Sequence, residues 1–424
     1  MQDFTLSRRD LLRLSAAGVL AAPASGWFGA LAAQAGAAAR AGKKHKNCIL
    51  LYMNGGASHI DTFDLKAGNG QFRPIATAVN GIQVSEHLPR LARQMGDVAV
   101  LRGMRTGEGS HRRANYLLHT GYREGAGGLV HPTLGSVASA VLGDRDSETP
   151  NFVTIQAGKK GNNDRLGNGY LEPVHAPLRV EDPARALENL RHAGSAAGFD
   201  HKTALLDEME RGFTGRKQAP AATAHREVYR AAARLMRSAK VKAFDLSAEP
   251  PAVRKTYGGS PFGEGCLLAR RLVEVGVPFV EVDFGGWDTH KDNFNRVKTL
   301  STQLDQGMSA LLADLKGRGL LEGTLVVWVG DFGRTPQVKN GGRGHWPAAW
   351  TTLLCGGGLK TGQVVGRTDR RGATVEDRPV SGPDFLATVC KALGIDYTQQ
   401  FTTRAGRPMR VVDKGAKPVG ELFG

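Results

Sequence analysis

Carboxylates, imidazoles and hydroxyls collect at five places in this chain of 424 residues, each beside an apolar run. The first is Gly55-Gly56-Ala57-Ser58-His59-Ile60-Asp61-Thr62-Phe63-Asp64, and the second is Gly109-Ser110-His111-Arg112-Arg113. The third is Asp283-Phe284-Gly285-Gly286-Trp287-Asp288-Thr289-His290. The fourth is Gly330-Asp331-Phe332-Gly333-Arg334-Thr335-Pro336, and the fifth is Gly341-Gly342-Arg343-Gly344-His345-Trp346-Pro347. Mixed carboxylates and neutral imidazoles suit a divalent transition metal, whereas carboxylates alone favour calcium or magnesium. The candidate ligands are Asp61, Asp288, His290, Asp331 and His345. Asp288 and His290 stand two apart after a run, so an extended backbone points both to one side. An arginine and a hydroxyl beside such a site suit a tetrahedral oxyanion. Ser110 is a candidate nucleophile or a plain helix N-cap. His111 can share its task. Arg334 is a candidate anion clamp or an ordinary ion-pair partner.

These groups need strands to carry them. Asn47–Met53 is a continuous apolar run ending in a Gly-rich turn, as a buried parallel strand does. Asp97–Leu101, Asn151–Ile155, Val277–Asp283, Thr324–Val329 and Ala349–Cys355 read as further strands. Helices are expected at Ala222–Ser238, Ser260–Val275, Asn293–Gly317 and Pro383–Leu393. The third carries Val297, Leu300, Leu304, Met308, Leu311, Leu312 and Leu315 on one face. Residues 156–170 are basic, rich in Gly and Asn, and read as a surface loop. Alternation of strands and helices predicts an α/β fold, a mostly parallel central sheet with helices on both faces. In such sheets ligands sit beyond the carboxyl ends of the strands. A single domain is expected over 40–424, with a helical insertion around 190–260.

Composition narrows the class without choosing a substrate. Hydrophobic residues make up 41% and charged residues 23%, which excludes a disordered polyelectrolyte. The formal charge is +16, so anionic esters and acidic polymers are the expected partners. No zinc-finger, RNA-binding or recognition-helix pattern is present, and nucleic acid is not an expected partner. Four widely spaced cysteines, Cys48, Cys266, Cys355 and Cys390, lie in apolar runs and read as buried free thiols.

The N-terminus reads as an address. Ser7-Arg8-Arg9-Asp10-Leu11-Leu12 precedes a mildly apolar stretch, Leu14 to Ala39, that ends in small residues. This resembles a twin-arginine export signal. Pro23, four glycines, Ser25 and Gln34 make the same stretch a poor membrane span. Removing residues 1–39 takes away three arginines and two aspartates and leaves +15. The expected partner at this stage is the twin-arginine export machinery. The expected location is periplasmic or extracellular, with no transmembrane segment in the mature chain.

The order of motifs resembles the exported domain-of-unknown-function 1501 family. It is carried by Gly55–Asp64, Thr120-Gly121-Tyr122, His131–Ser136, Gly286–His290, Asp331–Pro336 and Gly344–Pro347, and it spans Cys48 to about Asp396. That family is placed in the alkaline phosphatase-like superfamily with sulfatases and phosphoglycerate mutases. The resemblance implies a metal-dependent hydrolase or transferase of phosphate or sulfate esters. Ser110–Gly121 is similar to the sulfatase nucleophile helix, which puts Ser110 or His111 near the nucleophile position. Gly330–Gly333 looks like the superfamily's Asp-His-Gly turn, and His345 like its later histidine ligand. Two positions depart from the pattern. Phe332 stands where the turn has histidine, and Asn54 where the first strand delivers an aspartate. Three readings are therefore open: a metal-dependent ester hydrolase, a catalytically degenerate envelope protein binding an acidic polymer or protein partner, and a metal-free Ser-His-Asp hydrolase. Zinc, manganese and calcium are the metals to consider.

Overall fold

The structure, a computed structural model, describes residues 46–424 apart from 159–165, 187–189, 191–197, 200, 203, 206–207 and 209–219. The expected export signal, part of the basic loop 156–170 and much of 190–219 lie outside the described residues.

Eight strands form the central sheet: β1 Asn47–Met53, β2 Val98–Met104, β3 Phe152–Gln156, β4 Leu178–Val180, β5 Phe279–Asp283, β6 Thr324–Gly330, β7 Trp350–Gly356 and β8 Gln363–Val365. Their order across the sheet is β8-β2-β7-β6-β1-β5-β3-β4. All neighbours are parallel except β7, which runs against both β2 and β6. The central strands are buried along nearly their whole length, which is why they read as unbroken apolar runs rather than alternating ones.

Side chains alternate between the two faces of each strand. On one face, Ile49, Leu51 and Met53 of β1 join Val280, Val282, Val326 and Trp328 in a common core. That core is closed by two helices, α5 Pro261–Glu274 and α6 Asn293–Gly317. On the other face, Cys48, Leu50 and Tyr52 join Leu325, Val327 and Val329. This second core is covered by α1 His111–Thr120, α2 Leu134–Val141 and α7 Gly382–Leu393. Two further helices, α3 Pro220–Arg237 and α4 Pro251–Tyr257, precede α5. The expected α/β architecture is thus the observed one.

Local signals fix several boundaries. Ser260 precedes α5 and its hydroxyl accepts from the Gly263 amide, with Pro261 at the first helical position. Ser381 and Asp384 close a capping box at the start of α7. The apolar face expected on α6 is the buried one, with Leu300 at its margin. All four cysteines are free and buried, and burial raises each thiol pKa. No helix of the described residues is long and apolar enough to cross a membrane.

Candidate functional site

The carboxyl ends of β1, β2, β5 and β6 lie along one edge of the sheet, because these four strands run the same way. β7 runs the other way, so its start lies at this edge. That is why His345 comes before its strand whereas the other polar groups come after theirs. A two-residue ladder pairs His345 with Arg334 and Trp346 with Gly333, tying the fourth motif to the fifth. Gly55, just past β1, has φ 107, and a Cβ there would meet the Asp288 amide nitrogen at 2.4 Å. Only a glycine lets the β1 and β5 loops approach this closely.

Three imidazole Nε2 atoms converge on one carboxylate oxygen at this edge. Asp288 Oδ1 lies 3.0 Å from His290 Nε2, 3.4 Å from His111 Nε2 and 3.4 Å from His345 Nε2. His290 Nε2 and His345 Nε2 are 2.9 Å apart. Among the described residues, His111, Asp288 and His345 form one group whose ligand atoms all lie within 4.8 Å of one another. A tetrahedron with arms of about 2.1 Å has edges of about 3.4 Å, the spacing zinc-type ligands take. The donor set is therefore in register for a small divalent cation.

The protons on the far side of two rings support that fit. His345 Nδ1 lies 2.8 Å from the Gly109 carbonyl oxygen, which can only accept. His111 Nδ1 lies 2.5 Å from Asp331 Oδ2. Both rings thus carry a proton on Nδ1 and can present a lone pair at Nε2. His111 Nε2 is buried and makes no hydrogen bond of ordinary geometry, its approach to Asp288 Oδ1 being 3.4 Å.

Electrostatics favour positive charge at the same point. Burial alone would lower the His111 pKa, but Asp288 and Asp331 outweigh it and push it up to about 9. Burial alone would raise the Asp288 carboxyl, yet His111, His345 and Arg334 hold it well below the usual carboxylate range. The pKa of His290, half exposed, is lowered by partial burial. A site that holds an extra proton this firmly suits a metal cation in its place.

The expected residues take different roles. Asp331 is wholly buried and sits behind His111 rather than beside the converging Nε2 atoms. It also accepts from Tyr52 Oη at 2.7 Å and from the Gly55 amide at 3.2 Å. Arg334, expected as an anion clamp, is a strut. Its side chain is fully buried, and it donates to the carbonyls of Gly55, Gly56 and Arg343 and, at 2.7 Å, to Asp288 Oδ1. Asp61 is not brought to the group. Both of its oxygens are held by buried Arg343, at 2.8 and 2.9 Å, and Asn293 adds a third bond at 3.0 Å. His111, expected as a catalytic group, lies with Asp288 and His345 at the converging atoms. Ser110 immediately precedes α1, and its side chain makes no capping bond. His59 is buried with Nε2 against the Gly372 carbonyl.

Phe332 cannot bind metal, but it is not idle. Its ring packs against His345 at 4.5 Å and His111 at 4.9 Å between centroids, holding two ligand rings at a set angle. Asn54 donates to Asp283 at 3.3 Å and points away from the converging rings' shared oxygen. Sequence reading missed Tyr52 and the Gly109 carbonyl. A tyrosine as the one polar side chain within the run Ile49–Met53 was a usable signal; a backbone carbonyl carries none.

A family described as a protein of unknown function, DUF1501, matches residues 45–423. The chain belongs to that family. No curated protein matches this DUF1501 chain in sequence. Among solved structures it is similar to a sulfatase, PsFucS1, from Pseudoalteromonas sp.. The identity is 12%, the TM-score 0.41, and the match covers 88% of this chain and 72% of that one. It is also similar to the lipoteichoic acid synthase LtaP from Listeria monocytogenes, at 11% identity and TM-score 0.38, over 87% of this chain and 75% of that one. A phosphonate monoester hydrolase from Silicibacter pomeroyi matches at 11% identity and TM-score 0.34, over 82% and 73%. At these values, what the DUF1501 site can do is read from its own residues.

Proposed function

We propose that this chain is an exported, metal-dependent hydrolase of phosphate or sulfate esters. The observation that carries the reading is the convergence of His111, His290 and His345 Nε2 on Asp288 Oδ1. His111, Asp288 and His345 would hold the cation, with His290 beside them. Imidazoles with one carboxylate suit zinc or manganese better than calcium. A bound divalent cation supplies Lewis-acid polarisation of an ester oxygen.

The chain's own residues supply the rest. Arg334 fixes Asp288 from beneath and keeps it ionised. Asp331 and the Gly109 carbonyl fix the ring orientations of His111 and His345. The start of α1 lies beside the cation position, and a helix N-terminus favours the anionic ester group. Ser110, at that helix start beside His111, would be the attacking hydroxyl. The net charge of +16 draws in anionic substrates. Residues 1–39 would direct the folded chain through the twin-arginine machinery, releasing it to the periplasm or outside the cell.

The test is elemental analysis of protein purified after export, followed by an ester screen. Near-stoichiometric metal is expected in the wild type, with phosphatase or sulfatase turnover lost in chelator. His345→Ala should lose both. Metal content and turnover untouched by His345→Ala would sink the reading.

A second reading has its own support in Phe332 and Asn54, which stand where the superfamily resemblance implies metal ligands. In it the chain is a catalytically degenerate envelope protein that binds an acidic polymer or a protein partner. Salt-sensitive binding of a polyanion without turnover of any ester would favour it.

A further inference from the structure

We propose that Tyr52 is a positioning residue for the cation ligand His111, acting through Asp331. The proposal rests on the metal reading above. Tyr52 lies near the end of β1, in register with Val329 of β6 and Asp283 of β5. That register sets its hydroxyl under Asp331, two residues beyond Val329. The hydroxyl donates to Asp331 Oδ1 at 2.7 Å, while the Gly55 amide donates to Oδ2. His111 Nδ1 then meets Oδ2 as the third partner. Two donors from β1 and its turn thus pin the carboxylate plane, and the pinned carboxylate aims the imidazole.

The ring of Tyr52 is itself fixed. It is fully buried and lies 4.5 Å from the His119 ring. His119 is anchored by the Asn115 carbonyl at 2.8 Å and by Glu281 at 3.3 Å. A phenylalanine at position 52 would fill the same core space. A buried hydroxyl is unfavourable unless it is hydrogen-bonded, and this one donates to Asp331. Core packing alone therefore does not account for the tyrosine.

Tyr52→Phe, Asp331→Asn and the double variant separate the possibilities. Zinc affinity is measured by competition with a chromophoric chelator, and the His111 ring nitrogens by 15N NMR without metal, above the ring's pKa of about 9 so that it is neutral. Partners of ligating histidines are worth about 10- to 100-fold in metal affinity. Tyr52→Phe should weaken zinc about 10-fold and shift the His111 nitrogens from the pattern with the proton on Nδ1. It should leave the metal-free melting curve near that of the wild type. Added to Asp331→Asn, it should cost nothing more, because its effect runs through that carboxylate. Unchanged affinity and unchanged nitrogen shifts in Tyr52→Phe would overturn the proposal. So would a further loss in the double variant as large as in the single one. A wild type that binds no zinc would instead overturn the metal reading, and the nitrogen shifts would still decide whether Tyr52 orients His111.

Discussion

At the scale of single residues, the site is a set of charges that constrain each other. Asp288 stays ionised despite its burial because His111, His345 and a buried arginine meet one of its oxygens. Asp283 shows the opposite case. Burial, with Glu281 beside it, raises its carboxyl to about 7. The native state therefore holds a proton there between about pH 4 and pH 7 that the unfolded chain has released. Stability from this group is complete below pH 4 and is lost as pH rises towards 7. Asp283→Asn, which keeps the shape and never ionises, should flatten that decline. At pH 8 it should stabilise the fold by up to about 4 kcal/mol. Urea unfolding at pH 5 and pH 8 checks this: an equal effect at both would show that ionisation is not the cause.

At the scale of elements, the site depends on loops locked to each other from behind. Arg343 and Asp61, both fully buried, form a two-pronged ion pair. Arg343 also donates to the carbonyls of Thr335, Pro336 and Asn69. This ties the loop before His345 to the loop after β1 and, through Asn293, to the start of α6. Asp61→Ala leaves a buried guanidinium without its counter-charge and should cost about 3–5 kcal/mol. The urea midpoint measures it, and a loss under 1 kcal/mol would show that the loop relaxes to let water in. Gly55 makes a second such lock. Gly55→Ala forces a Cβ against the Asp288 backbone at a φ that side chains rarely adopt. Asp288 should move off the histidines, and zinc affinity should fall at least about 10-fold, by analogy with the loss of a ligand's support. Wild-type affinity in that variant would mean that the two loops shift together.

At the scale of the whole molecule, the proposed metal site would link binding to folding. Its residues come from loops after β2, after β5 and before β7, far apart in sequence and brought together only by the folded sheet. The unfolded chain therefore has no comparable site. A metal present at 100 times its Kd should stabilise the fold by about 2.7 kcal/mol. Differential scanning calorimetry should show Tm falling by several degrees on chelation and recovering with zinc. An identical Tm in chelator, with no metal found in the untreated protein, would move the balance to the polyanion-binding reading.

The sequence alone determined the elements and the neighbourhoods. Unbroken apolar runs such as Asn47–Met53 and Thr324–Val329 marked strands buried on both faces, because nothing polar can be carried there. The heptad-like face of Asn293–Gly317 marked a helix lying on that sheet. Polar residues gathered at the run ends marked the neighbourhood, and Asp288, His290 and His345, candidate ligands by type, do meet there. What sequence did not determine is which polar groups meet and in what order. That followed from the strand order and from the single reversed strand, β7. They put His345 over Asp288, moved Asp331 behind His111, and sent Asp61 to Arg343 instead. Local pattern records how far a side chain is from water. Only the tertiary structure decides which buried charge stands opposite which, because partners hundreds of residues apart share no local signal.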